Sequence, residues 1–489
     1  MSRSLRFGAA LLILFSLAIS VAAQTKPAPA KKAAAPASFF PYKIHSRTLP
    51  NGLTVLIIAT PEFKDMATYA TPVFAGSRNE TEKGKSGLAH LFEHIMFRHE
   101  YGGKPGGYET MIDAMGADNN AWTNYDLTFY HPFTFAQNLV GPVETPQGPV
   151  PGIIELEADR FQHLTMQRKV FEVEAGAVLG EYRRIFSFPQ EKMVEMMSPE
   201  GFPAHPYGHT VIGYREDVEN MPKAWDSAWE FFHNYYTPND VAVIVVGDVD
   251  PDKLFPVIEK AYAGWKPVPT PKIPTPPFPK NEKPVHVDWE AEVAPHLMVG
   301  YHTPAMKIGA PEGAVALVLT ELLTSRSAPL FQKLRYEKQS VTDFSMFATP
   351  DSTDPQWMMV DCELSLERFQ KEGNGYVQDV QGDVITGVEA LQHFSRQKDA
   401  AKTLEVIKSK VKNDFLAQLN TTENIATTVA WYYRFNRDPN SIDELMRSVM
   451  ALQPADIDAY AQKYFTPEGR IVGTLWQNPK AALKPAEVR

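Results

Sequence analysis

From about Phe40 onward the chain alternates between short apolar runs bounded by turn residues and longer stretches with helical spacing. "HSRTLPNGLTVLII" (45–58) sets Pro-Asn-Gly between two extended runs and predicts a hairpin. "MATYATPVFAG" (66–76) partly alternates, as a strand with one buried face does. Apolar spacing predicts helices over about 86–97, with Ser86 as N-cap, and over about 108–115, 153–166 and 171–186. "NNAWTNYDLTFYHPF" (119–133), rich in aromatics and threonine, reads as a strand.

The pattern is interrupted by "KPVPTPKIPTPPFPKNEKP" (266–284), whose eight prolines keep it extended and stiff. The halves on either side resemble each other. "FFHNYYTPNDVAVIVVGDVD" (231–250) and "YAQKYFTPEGRIVGTLWQ" (460–477) both run from an aromatic pair through Thr-Pro and a polar turn into an apolar strand. More loosely, "PHLMVGYHT" (295–303) stands where "MATYATPVFAG" stood, and "GAVALVLTELLTS" (313–325) stands where the helix of 86–97 stood. Internal duplication is the expectation. The predicted fold is α+β: two homologous α/β halves, each a mixed or antiparallel sheet packed with helices. The expected divisions are residues 40–265, the Pro-rich linker 266–284, and a second half over 285–489.

With 489 residues and 44% hydrophobic content, the chain exceeds a single core. Its formal charge, 48 − 58 = −10, argues against a general nucleic-acid binder. Arg3 and Arg6, then "FGAALLILFSLAIS", then small residues ending at Ala23 predict an export signal over 1–23, with a retained N-terminal anchor as the competing reading. The Pro, Ala and Lys of 24–39 predict a flexible tether. No later run is long enough to span a membrane, so no stable span is expected after signal removal. Cys362 is the single cysteine, which excludes an intramolecular disulfide. These features predict a protein exported to a bacterial periplasm or cell surface.

Within "GLAHLFEHIMF" (87–97), His90 and His94 lie one helical turn apart and aim two imidazoles at one point, the arrangement zinc needs. Glu93 sits beside that face, placed to accept a proton from water rather than to ligate. The order His-x-x-Glu-His is the inverzincin pattern. A third ligand is sought in "FEVEAGAVLGEYRR" (171–184), where Glu174 and Glu181 lie two turns apart on one face. Glu172 competes with Glu174, and an ion pair of Glu181 with Arg183 or Arg184 is the ordinary alternative. His205 and His209 form a rival pair, but Pro206 and Gly208 break any helix between them, so a loop-shaping role is expected.

The chain resembles the insulinase-like (pitrilysin-type) zinc metallopeptidases, in particular small bacterial members similar to mitochondrial processing peptidase. The resemblance rests on "GLAHLFEHIMF", "NAWTNYDLTFY", "LEADRF" (156–161), "EAGAVLGEYRR", "HPYGHTVIGYREDVENM" (205–221), "YYTPNDVAVIVVGDVD" and "PLFQKLRYEKQSVTDFS" (329–345), spanning about 44–476. It implies a clam-like shell and a zinc endopeptidase acting on peptides or unfolded segments. His90, His94 and Glu181 would hold one Zn2+ per chain, with Glu93 as general base and Glu174 as a supporting carboxylate. It also implies that the substrate adds as a strand beside Asn120, Ala121 and Trp122, and that Arg335 contacts substrate. The tyrosine expected to accompany Arg335 is missing: Thr342, Asp343 and Phe344 stand there, and Tyr336 is misplaced. A homodimer, or a heterodimer with a subunit supplying an Arg/Tyr pair, is therefore expected. A non-catalytic peptide-binding or assembly subunit, and a zinc hydrolase of non-peptide substrates, are the rival readings.

Overall fold

The computed structural model describes residues 38–104, 106–275, 277 and 282–478. The predicted signal of 1–23, residues 24–37 of the tether, and residues 276 and 278–281 of the Pro-rich segment lie outside the described residues. Residues 266–275 take no helix or strand.

The first sheet comprises β1 (Ile44–Thr48), β2 (Thr54–Ala59), β3 (Met66–Val73), β4 (Asp118–Thr123), β5 (Thr128–Phe135) and β6 (Ala242–Gly247), in the order β1-β2-β6-β3-β5-β4. The second comprises β7 (Lys283–Trp289), β8 (His296–Thr303), β9 (Val341–Ala348), β10 (Gln356–Leu364) and β11 (Arg470–Gln477), in the order β7-β11-β8-β10-β9. From β2 onward the two orders coincide strand for strand. Each contains one parallel pair, β2 with β6 and β7 with β11, and is otherwise antiparallel. The duplication read from the closing segments is thus present in the topology of both halves.

The helices of the first half are α1 (Leu88–Ile95), α2 (Gly107–Ala114), α3 (Ile153–His163), α4 (Arg168–Ile185), α5 (Pro189–Gly201), α6 (Arg215–Asn220), α7 (Trp225–Tyr235) and α8 (Pro251–Tyr262). Those of the second half are α9 (Pro311–Leu323), α10 (Pro329–Phe331), α11 (Leu366–Glu372), α12 (Asn374–Glu389), α13 (Ala400–Gln418), α14 (Thr422–Asn436), α15 (Ser441–Ala451) and α16 (Pro454–Tyr464). The hairpin expected at Pro50-Asn51-Gly52 forms, with Gly52 at φ +92°. The single strand expected over 119–133 is instead the hairpin β4–β5. Asn124 makes the turn, its side-chain oxygen accepting from the backbone N–H of Asp126 and of Leu127 (both 2.8 Å).

Neither half covers its own sheet on both faces. One face of the first sheet packs on α1, α4 and α7; its other face, with Leu56, Ile58, Phe129 and Ile244, is covered by Ile425, Val429 and Tyr433 of α14 from the second half. Reciprocally, Met193 and Met197 of α5 from the first half cover Met298, Met359 and Leu475 of the second sheet. Each buried Ile, Val or Met in such a layer contributes about 1.5–3 kcal/mol. The exchanged helices therefore lock the halves together, and parting them within one chain would bare two apolar sheet faces.

Candidate metal centre and sheet edge

Helix α1 starts at Gly87, whose φ of +86° and close approach to the neighbouring chain both demand glycine. A Cβ there would come within 2.5 Å of the Ile212 carbonyl oxygen. Gly87, not Ser86, is the N-cap: the Ser86 hydroxyl donates to Asp217 (2.6 Å) and accepts from the backbone N–H of Tyr214 (2.8 Å). The orphan donors of the first turn go instead to Glu80, which accepts from the N–H groups of Gly87 and Ala89, both at 2.7 Å. Burial pushes the Glu80 carboxyl up to about 8 against these hydrogen bonds. Glu80→Ala is expected to cost about 1–3 kcal/mol of stability by orphaning two buried N–H groups, measurable by urea unfolding, and to loosen metal affinity in parallel.

On α1 the rings of His90 and His94 are 5.0 Å apart at 83°. Glu181, from α4, faces both: its Oε2 lies 3.4 Å from His90 Nε2 and 3.5 Å from His94 Nε2. No second such group of three potential ligands occurs among the described residues. Two tetrahedral ligands at zinc distance are about 3.3 Å apart, so this donor set fits the ion and is slack for direct hydrogen bonding. His94 Nδ1 lies 3.4 Å from Glu174, which is buried and accepts from Arg98 Nε at 2.9 Å. Arg98 also donates to Glu109 of α2 (2.6 Å). Glu172 points elsewhere, exposed and 3.7 Å from Arg168.

Burial and the neighbouring His94 push His90 down to about 4. For His94 burial acts downward, but Glu174 and Glu181 outweigh it and raise the imidazole to about 9. Burial raises Glu93, with the Thr123 hydroxyl and His94 opposing. Glu93 is thus half-buried against β4, its carboxyl shifted toward the range where a base works near neutral pH.

Strand β4 pairs with β5 and is the edge of its sheet. Asn120 is exposed, and its side-chain oxygen accepts from the N–H of Ala121 at 2.9 Å. Ala121 packs toward the core behind α1, whereas Trp122 faces the opposite way, stacked on Phe129 at 5.2 Å. Arg335 is not brought to this cluster. It lies on a π-helical segment of the second half (Gln332–Glu337) and donates to the Val341 carbonyl at 3.2 Å, with no hydrogen bond or ion pair to the His90 group. Phe344 is buried in the second core beside Phe331, and Tyr336 is exposed. His205 and His209 are not paired: His205 Nε2 lies 3.1 Å from Asp354, and His209 Nδ1 donates to the Thr210 carbonyl at 2.9 Å.

Arg98, Glu109 and Glu80 were missed in the sequence. Arg98 follows His94 by one turn, so its spacing was a usable signal; Glu80 and Glu109 are brought in by tertiary folding.

Residues 55–214 match the family "Insulinase (Peptidase family M16)", and residues 226–373 match "Peptidase M16 inactive domain". The chain is 27% identical over 444 residues to "Zinc protease PqqE" of Helicobacter pylori, covering 88% of this chain and 91% of that one. It is 28% identical over 214 residues to the mitochondrial-processing peptidase subunit beta of Blastocladiella emersonii, covering 44% and 43%. The crystal structure of a protease from Helicobacter pylori superposes with a TM-score of 0.75 at 25% identity, over 89% of this chain and 99% of that one. Two matched segments of one family, in the order of the two halves, and a relative aligned over nearly its whole length place the chain in the insulinase family of peptidases, family M16.

Proposed function

We propose that the protein is a zinc-dependent endopeptidase that hydrolyses peptides or unfolded protein segments, with one zinc per chain on His90, His94 and Glu181. The observation that carries this reading is the Glu181 carboxylate facing both imidazoles, with Glu93 on the adjacent helical position beside a free sheet edge. The zinc protease names of its relatives support it. Zinc bound there supplies a Lewis acid for the scissile carbonyl and for water. Glu93 accepts the proton from water and passes it to the leaving amine. Glu174 fixes the His94 ring through Nδ1 and is itself held by Arg98. The substrate lies extended along β4 beside Asn120, Ala121 and Trp122, hydrogen-bonded to the backbone groups of Ala121, which face away from β5.

In this reading the chain is the catalytic member of a two-chain assembly, homodimeric or heterodimeric. The buried ring of Phe344 has no hydroxyl to offer a carbonyl, and Arg335 is held to the Val341 carbonyl within the second half. The N-terminal pattern supports export to a periplasm or cell surface. No helix among the described residues is long and apolar enough to cross a membrane.

The test is digestion of an unstructured-peptide mixture by the purified protein. Activity should vanish on chelation and return with one equivalent of zinc. Stoichiometric zinc without turnover, alone or with a co-purifying partner, would favour the non-catalytic peptide-binding reading. Zinc uptake should itself release about one proton near pH 7, because His94 is held protonated up to about 9 in the metal-free protein and must give up that proton to ligate. Affinity should then rise about tenfold per unit between roughly pH 6 and 8. Calorimetry in buffers of different ionisation enthalpy measures this, and a flat profile would mean a neutral His94.

A further inference from the structure

Alternate residues of β4 look onto different neighbours. Ala121 packs toward α1 and Thr123 touches Glu93, while Trp122 looks onto the opposite face of the sheet. There its ring lies 6.2 Å from that of Trp431. Trp431 belongs to α14, the helix contributed by the second half, and lies outside both matched family segments. Its position is fixed: the indole N–H donates to Asp351 at 3.1 Å, and the Arg434 guanidinium covers the ring at 3.7 Å. Yet both indoles are only partly buried, and Trp122 stands on the edge strand itself.

A peptide added to a strand edge sends its side chains alternately to the two faces, and the residue directly opposite Trp122 projects on the Trp122 face. That side chain is directed away from α1 and meets the two indoles. We infer that Trp122 and Trp431 form a specificity subsite that takes one large apolar or aromatic side chain of the bound peptide, built jointly by the two halves. The inference deepens the peptidase reading and rests on it. Offset or edge-on packing of such a side chain against two rings favours it over alanine by about tenfold in affinity.

The test uses the full chain carrying Glu93→Gln, loaded with zinc so that peptides bind uncut. Two fluorescent unstructured peptides differing by one Phe-to-Ala replacement are compared by anisotropy, with the Phe placed in turn at successive positions. At one position the Phe peptide should bind about tenfold tighter, and Trp431→Ala should reduce that ratio to within about twofold. Trp431→Phe, which keeps an aromatic ring there, should retain most of it. A ratio unchanged in Trp431→Ala would overturn the subsite while leaving the peptidase reading intact. Failure of every peptide to bind the Glu93→Gln protein would overturn both.

Discussion

Glu93→Gln is expected to lower peptide hydrolysis by between about a hundredfold and ten-thousandfold while leaving one zinc bound. Glutamine keeps the shape and the capacity to hydrogen-bond, but it cannot accept a proton. The proposed ligands are His90, His94 and Glu181, so their composition is untouched by the substitution. In the metal-free protein burial raises the Glu93 carboxyl. The measurement is kcat/KM on an unstructured peptide beside zinc content per chain. Zinc lost together with activity would make Glu93 a ligand; activity retained would remove it as the base. Glu181→Gln should behave differently, losing the metal first and the activity as a consequence.

Local chemistry made much of the fold legible. Pro50-Asn51-Gly52 specified its hairpin, and the duplicated Thr-Pro segments anticipated two sheets with one strand order. What escaped was the use of side chains against backbone. Asn124 turns an aromatic run into a hairpin with no Gly or Pro to announce it. Ser86 looks like an N-cap, but its hydroxyl is occupied by Asp217 and Tyr214, and the capping falls to Glu80, outside the helix. Periodicity tells which face of a helix is buried, not what buries it, so the crossing of α5 and α14 onto each other's sheets was not readable. The meeting of His90, His94 and Glu181 was readable because His90 and His94 lie one turn apart and Glu174 and Glu181 lie two turns apart, all within rigid helices. Arg335 is not among them: it donates to Val341 within the second half.

The "LEADRF" segment carries the second large effect. Arg160 and Glu157 are both fully buried and 2.8 Å apart. Glu157 also accepts from the hydroxyls of Tyr108 and of Thr71 (3.1 Å). Arg160 donates to the Met96 carbonyl at 3.3 Å, just past the end of α1, and its guanidinium lies 4.2 Å over the Tyr108 ring. Arg160→Ala leaves Glu157 charged and buried with only hydroxyl partners, and is expected to cost about 3–5 kcal/mol in urea unfolding. Because the lost contacts include the end of the helix bearing His90 and His94, zinc affinity should fall with stability. The combined Glu157→Gln and Arg160→Met variant removes both charges at similar volume and should recover most of the loss, since pairing rather than net attraction is what the buried carboxylate requires. A loss below about 1 kcal/mol for Arg160→Ala alone would mean that the Tyr108 and Thr71 hydroxyls suffice to hold Glu157. A double variant no better than the single one would place the cost in lost packing over Tyr108 rather than in the unpaired charge.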